Sequence, residues 1–153
     1  MAAQVSLKLE RVKDLKFNVN LRDDRRIELN SADVMGQAFT PMELFLVGLA
    51  GCTAMDVQWI MDKQRQQVDR FEISARGTRR EEDPMYYESI DLEYAFAGPS
   101  IRKDAVERAI RLSQEKYCSV RAMVNDNVKL NITYRIANGT DPEQEYAYTA
   151  QAR

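Results

Sequence analysis

Between Thr40 and Gln66 the chain carries a segment so apolar that the rest of the fold must be arranged to cover it. The run Leu44 to Met55 (LFLVGLAGCTAM) holds no charge, with Glu43 before it and Asp56 after it. Thr40-Pro41-Met42-Glu43 reads as a helix start. Thr40 caps, Pro41 fits the first helical position, and Glu43 stands three residues after the cap as in a capping box. The helix is expected to run to about Gln66. Its first half is apolar almost all round, which predicts burial on all sides; from Asp62 it turns polar. Covering such a helix within 153 residues is difficult, which favours a homodimer with the helix near its interface. The run Leu44 to Met55 is too short to span a hydrocarbon core of about 30 Å, so no membrane association is expected.

Upstream, Val5, Leu7, Leu9 and Val12 alternate with polar residues, as do Leu15, Phe17, Val19 and Leu21. Both read as strands, joined by a turn at Lys13-Asp14, with a second turn at Asp23-Asp24 and a short strand over Arg26–Leu29. This is an antiparallel meander, followed by a loop over residues 30–40 with Gly36 as its breaker. Downstream of the helix, strands are expected over Val68–Thr78 and Tyr87–Ala97, separated by a charged loop (RREEDP) and ended by Gly98-Pro99. A second helix begins at Ser100, with Ile101, Ala105, Ile110 and Leu112 facing inward. It breaks near Tyr117-Cys118-Ser119 into a short helical turn, and a last strand covers Val128–Ile136. Residues 1–136 are expected to form one α+β domain. Residues 137–153 are polar and carry no core pattern, so they read as a tail, disordered or docked on the chain's own body or a partner.

The formal net charge of -2 offers no reason to expect nucleic acid, which needs a clustered basic face. The N-terminal segment has no apolar signal-peptide core, so the expected compartment is the cytoplasm, where thiols rest reduced. The chain has no histidine. That excludes Ser-His-Asp and Cys-His catalysis within one chain, and the histidine-bearing zinc motifs. Two cysteines without histidine are a poor metal site, and no metal is expected. By composition alone Cys52 reads as a small core residue. It lies about three turns into the helix, beyond the reach of the helix dipole. Asp56, at i+4, shares its face, and a carboxylate there disfavours a thiolate. Activation therefore needs a cation from elsewhere in the fold, an arginine. Cys118 sits at a helix break, where it is either a half-buried structural cysteine or a thiol whose thiolate is favoured by free backbone N–H groups and Arg121. Together the two suit a peroxidatic and resolving pair: a thiolate attacks an O–O bond, and the sulfenic acid condenses with the second thiol.

Three segments in order, TPMELFLVGLAGCTAMDV, RREEDPMYYESIDLEYAFAG and LSQEKYCSV, carry a resemblance over roughly residues 36–136. The chain resembles the OsmC/Ohr family (osmotically inducible protein C and organic hydroperoxide resistance protein), and within it the PMEL…GC / KYCSV subgroup. The resemblance implies an α+β fold with antiparallel sheets packed around a long buried central helix. It also implies an intertwined homodimer with two sites at the dimer interface. It carries Cys52 over as the peroxidatic cysteine and Cys118 as the resolving one, with organic hydroperoxides as substrates. The reductant is a dithiol of lipoyl type, acting as co-substrate with no bound cofactor. The active branches place glutamate directly after the helix-start proline; here Met42 stands there. Glu43 follows one residue later, about 100° around the helix, where it also serves as a cap. The family's activating arginine comes from the N-terminal strands, and Arg11, Arg22, Arg25 and Arg26 are the candidates. Met55 and Trp59, at i+3 and i+7 from Cys52, line an apolar pocket or pack in the core. The expected function is thiol-dependent reduction of organic hydroperoxides. The alternative is a non-catalytic dimer of the same fold that binds a small apolar ligand or senses redox state.

Overall fold

The computed structural model of the chain describes residues 4–21, 25–31 and 38–149. The backbone gathers into two compact units, Met1–Phe45 and Leu46–Arg153.

The N-terminal unit is the expected meander: β1 (Leu7–Lys13), β2 (Lys16–Leu21) and β3 (Arg26–Leu29), paired antiparallel in that order. The β1–β2 connection turns at Asp14, whose φ of 48° is a left-handed value that aspartate tolerates better than most residues. Val19, opposite Leu9 and Ile27, is buried, whereas every residue of β1 is exposed. The alternation that marked β1 as a strand thus does not bury it. The expected turn at Asp23-Asp24 and the breaker Gly36 lie outside the described residues. Phe39 returns to β3, its N–H donating to the Glu28 carbonyl at 3.2 Å, and leads into helix α1 (Pro41–Lys63).

The helix begins as its sequence predicts. The Thr40 N–H donates to Glu43 Oε2 at 2.7 Å and the Glu43 N–H donates to Thr40 Oγ1 at 3.2 Å, a reciprocal capping box. Its burial differs from expectation. The buried residues are Leu49, Thr53, Val57, Ile60 and Met61, one stripe rather than the whole circumference. Val47, Met55 and Trp59, spaced at multiples of four, are 54%, 77% and 51% exposed. One chain of this size has too little apolar surface to wrap such a helix completely. Because the apolar character resumes at Val57 and continues to Met61, α1 is longer and more apolar than the run Leu44–Met55 suggests. By length and composition alone it is sufficient to cross a membrane.

The second unit holds a four-stranded sheet in the order β4 (Arg70–Arg79), β5 (Tyr87–Gly98), β6 (Lys129–Asn138), β7 (Gln144–Tyr148). The sheet is mixed, not antiparallel throughout: β5 and β6 run parallel. A parallel pair needs a crossover. It is made by α2 (Lys103–Leu112), a π-helical turn over Ser113–Tyr117, and α3 (Ser119–Met123). Ile90, Leu92, Tyr94 and Phe96 of β5 alternate inward, in register with Ile132, Tyr134 and Ile136 of β6. From α2, Ala105, Val106, Ala109 and Ile110 are buried, and Glu107 accepts from Tyr134 Oη at 2.6 Å. The helix starts at Lys103 rather than Ser100 because Asn138 holds Ile101 from both sides. Its Oδ1 accepts from the Ile101 N–H at 2.7 Å and its Nδ2 donates to the Ile101 carbonyl at 2.9 Å. Leu112 is only half-buried. Part of the expected tail docks on the chain's own body: β7 extends the sheet antiparallel to β6, with Tyr146 stacked on Tyr134 at 5.0 Å. An edge strand needs few apolar residues, so its sequence lacks a core pattern.

Gly98 ends β5 where the Gln67 carbonyl passes close. A Cβ there would lie 2.4 Å from that oxygen, a backbone atom that cannot swing aside. Gly98→Ala is expected to cost about 1–3 kcal/mol of stability, read as a lower urea midpoint with an unchanged m-value.

Candidate functional site

Cys52 and Asp56 stand one turn apart on the same face of α1. Cys118 reaches them from the crossover. The two sulfur atoms and a carboxylate oxygen of Asp56 all lie within 4.8 Å of one another. The π-helical turn places the second sulfur. The Cys118 N–H donates to the Ser113 carbonyl at 2.9 Å, spanning five residues. The chain then becomes extended at Cys118, with φ -69° and ψ 101°. Its Sγ accepts from the Arg121 N–H at 3.3 Å, so the cysteine itself caps α3.

Beneath the sulfurs lies a buried polar network. Thr53 Oγ1 is hydrogen-bonded to Tyr94 Oη at 2.7 Å and to Ser113 Oγ at 2.9 Å, and accepts from Gln114 Nε2 at 3.1 Å. Gln114 Nε2 also reaches Tyr94 Oη at 3.2 Å. Ser113 Oγ donates to Asp56 Oδ2 at 3.2 Å. Burial raises the Asp56 carboxyl above its ordinary range, and the Ser113 hydrogen bond partly opposes this.

The sequence left Cys118 as either a thiolate-favouring or a half-buried structural cysteine, and the structure buries it. The thiolate-favouring reading is overturned. Burial, chiefly, and the neighbouring Cys52 side chain push the Cys118 thiol up to about 11. The Arg121 N–H pulls the other way and does not prevail. The Arg121 guanidinium meanwhile donates to the Val124 carbonyl at 3.4 Å.

The other expected site residues have their own partners or surroundings. Glu43 is occupied as the α1 cap, and the Thr40 N–H holds its carboxyl below the usual range. Arg22 lies outside the described residues. Arg25 and Arg26 belong to the N-terminal unit, where Arg26 Nε donates to Asn20 Oδ1 at 3.1 Å. Arg11 Nε donates to the Asp14 carbonyl at 2.9 Å. Met55 and Trp59 are exposed rather than in the core. Trp59 meets Tyr117 edge-on at 5.7 Å, with Lys63 Nζ 5.6 Å from its ring centre. A cavity of about 640 Å³ opens instead beside Cys118, lined by Gln114, Lys116, Arg121, Leu130 and Ile132 among others. Sequence reasoning missed Thr53, Tyr94, Ser113 and Gln114, and saw Asp56 only as a hindrance to a thiolate. The available signal was Thr53 itself, a hydroxyl next to Cys52 inside an apolar run.

Residues 34–133 match the family described as OsmC-like protein. The chain belongs to the OsmC-like family. It is 39% identical over 107 residues to Protein YhfA of Escherichia coli K12, covering 70% of this chain and 78% of that protein. A hypothetical protein from Aquifex aeolicus VF5 superposes with a TM-score of 0.81 at 32% identity, over 90% of this chain and 99% of the other. The organic hydroperoxide resistance protein OsmC from Legionella pneumophila shares the fold, with a TM-score of 0.67 at 13% identity, over 89% of this chain and 99% of that one. The α+β architecture of two sheets and a long central helix is thus that of the OsmC-like family, as the sequence resemblance implied.

The raised Cys118 thiol has a direct consequence. Alkylation of Cys118 by iodoacetamide, followed by mass spectrometry, should keep accelerating about tenfold per pH unit through pH 9. An ordinary thiol, half-ionised near pH 8.5, levels off there.

Proposed function

We propose that this OsmC-like chain is a thiol-dependent peroxidase that reduces organic hydroperoxides, with Cys52 attacking and Cys118 resolving. The observation that carries the reading is the meeting of the two sulfurs within 4.8 Å, from elements far apart in the sequence. The roles are those the family resemblance implies, Cys52 peroxidatic and Cys118 resolving, and the raised Cys118 thiol suits the resolving part. In the first step the Cys52 thiolate attacks the terminal oxygen of R–O–O–H. The O–O bond breaks, Cys52 becomes a sulfenic acid, and R–O⁻ takes a proton to leave as the alcohol. In the second step the Cys118 sulfur displaces the sulfenic oxygen as water and an S–S bond forms. Closing from 4.8 Å or less to about 2 Å needs side-chain rotation at both cysteines. A dithiol of lipoyl type then reduces the disulfide by exchange, restoring both thiols and becoming a cyclic disulfide itself. The cavity beside Cys118 gives such a molecule a route to the sulfur. A reducing cytoplasm is the compartment that sustains this cycle.

The test is a titration of the reduced full-length chain with cumene hydroperoxide, with chelator present, counting free thiols. Both thiols should disappear together. Cys52→Ser should lose none, and Cys118→Ser should stop at a sulfenic acid trapped by dimedone. A thiol count unchanged at modest peroxide excess overturns the reading. The cavity then favours the alternative, a binding module without turnover.

We also infer that the working unit is a homodimer formed over the exposed stripe Val47, Met55 and Trp59 of α1. Apolar surface left on the most apolar helix of the chain is expected to find a partner. Sedimentation equilibrium should return twice the 17.7 kDa chain mass. Met55→Glu, which puts a charge in the middle of that stripe, should shift the population to monomer.

A further inference from the structure

We propose that reduced Cys52, Cys118 and Asp56 form a binding site for one borderline-soft divalent cation of the zinc and cadmium class. This goes beyond the peroxidase reading and does not rest on it. Histidine is absent, and two cysteines alone are a poor site. The fold changes that judgement by adding a third donor: the carboxylate of Asp56 stands with both sulfurs inside one 4.8 Å triangle. In tetrahedral zinc sites, with Zn–S near 2.3 Å and Zn–O near 2.0–2.2 Å, neighbouring donors lie roughly 3.3–3.8 Å apart. Each edge of the triangle therefore needs to contract by no more than about 1.5 Å, within reach of cysteine and aspartate side-chain rotation.

The donor chemistry selects the ion. Two thiolates exclude the hard cations magnesium and calcium, which take oxygen donors, and the carboxylate adds a donor that copper(I) does not favour. Binding displaces both thiol protons to solvent and transfers no electron. Two thiolates and one carboxylate set three negative charges against two positive ones. The groups behind the donors are in place. Ser113 Oγ donates to Asp56 Oδ2 at 3.2 Å, and is fixed in turn by Thr53 Oγ1 at 2.9 Å. The Arg121 N–H donates to Cys118 Sγ at 3.3 Å. Such outer partners orient metal ligands and tune their affinity. Cys118 lines the cavity, which gives the ion an approach and leaves room for a fourth, exogenous ligand such as water or a small thiol. While the ion is bound the sulfurs cannot form a disulfide, so metal and oxidant compete for one pair.

The experiment is an anaerobic cobalt(II) titration of the reduced full-length chain, read by absorption, followed by displacement with zinc. The expected result is one equivalent per chain, with a thiolate-to-cobalt charge-transfer band and the visible bands of a tetrahedral site. Cys52→Ser and Cys118→Ser should each lower the band and weaken affinity by about 100-fold or more. Asp56→Asn should weaken it by about 10–100-fold, and Ser113→Ala, which removes no ligand, by about 10-fold. Circular dichroism checks that each variant is folded. Chain oxidised with diamide should bind none. Absence of the charge-transfer band in the reduced wild type overturns the proposal. So does wild-type affinity in folded Asp56→Asn, which would leave a bare thiol pair. A chain that binds cobalt but ignores cumene hydroperoxide sinks the peroxidase reading and leaves this one standing; the reverse result does the opposite.

Discussion

The hydroxyl of Thr53 is the group around which the rest of the site is built. It is fully buried on the inner stripe of an otherwise apolar helix, where an unpaired hydroxyl costs about 1–3 kcal/mol. The fold meets that cost with three polar groups from two other segments: Tyr94 from β5, and Ser113 and Gln114 from the π-helical turn. These contacts fix α1 in rotation and in height. Cys52 precedes Thr53 in the helix, and Ser113 opens the turn that ends in Cys118. The network that satisfies Thr53 therefore also sets the separation of the sulfurs. A one-residue slip of α1 would rotate every side chain by about 100° and separate the pair.

The π-helical turn makes the second contribution. An α-helical continuation of α2 would carry Cys118 onward along the same axis, with its N–H bonded to residue 114. Instead the N–H of Cys118 reaches back to Ser113, and the extra residue in the turn shifts where the sulfur emerges. The extended backbone at Cys118 then ends the helix and turns Sγ toward the first N–H groups of α3. A short crossover between two parallel strands thereby presents one sulfur to a second element without a loop of its own.

Much of this arrangement was readable in the chain. The reciprocal bonds of Thr40 and Glu43, the break at Cys118 and the alternation of β5 each rest on local chemistry, which a sequence displays directly. Three features were not readable because they depend on partners distant in the chain. The parallel pairing of β5 with β6 leaves no local trace, since Tyr87–Gly98 alternates as it would in an antiparallel sheet. The strand Gln144–Tyr148 takes its place from hydrogen bonds to β6 and one tyrosine stack, so polar composition concealed it. The state of the Cys118 thiol was left open because local N–H groups and Arg121 are visible in sequence, whereas the burial that outweighs them is not.

The two chemistries argued for the cysteine pair come from one electrostatic problem. Two thiols and a carboxylate share a partly buried space in which three negative charges would repel one another and lose hydration. Among the described residues of the second unit no side-chain cation is bonded to any of the three; the Arg121 N–H donates to Cys118 and the Ser113 hydroxyl to Asp56. Protons are one relief: burial raises both the Cys118 thiol and the Asp56 carboxyl. Joining the sulfurs relieves it covalently, because a disulfide carries no charge. A divalent ion relieves it by direct compensation. The two proposals made for the pair, a disulfide and a bound divalent ion, are thus two further answers to the same problem that protons answer. Which one prevails depends on what the surroundings supply, while the network beneath Thr53 holds the geometry common to all three.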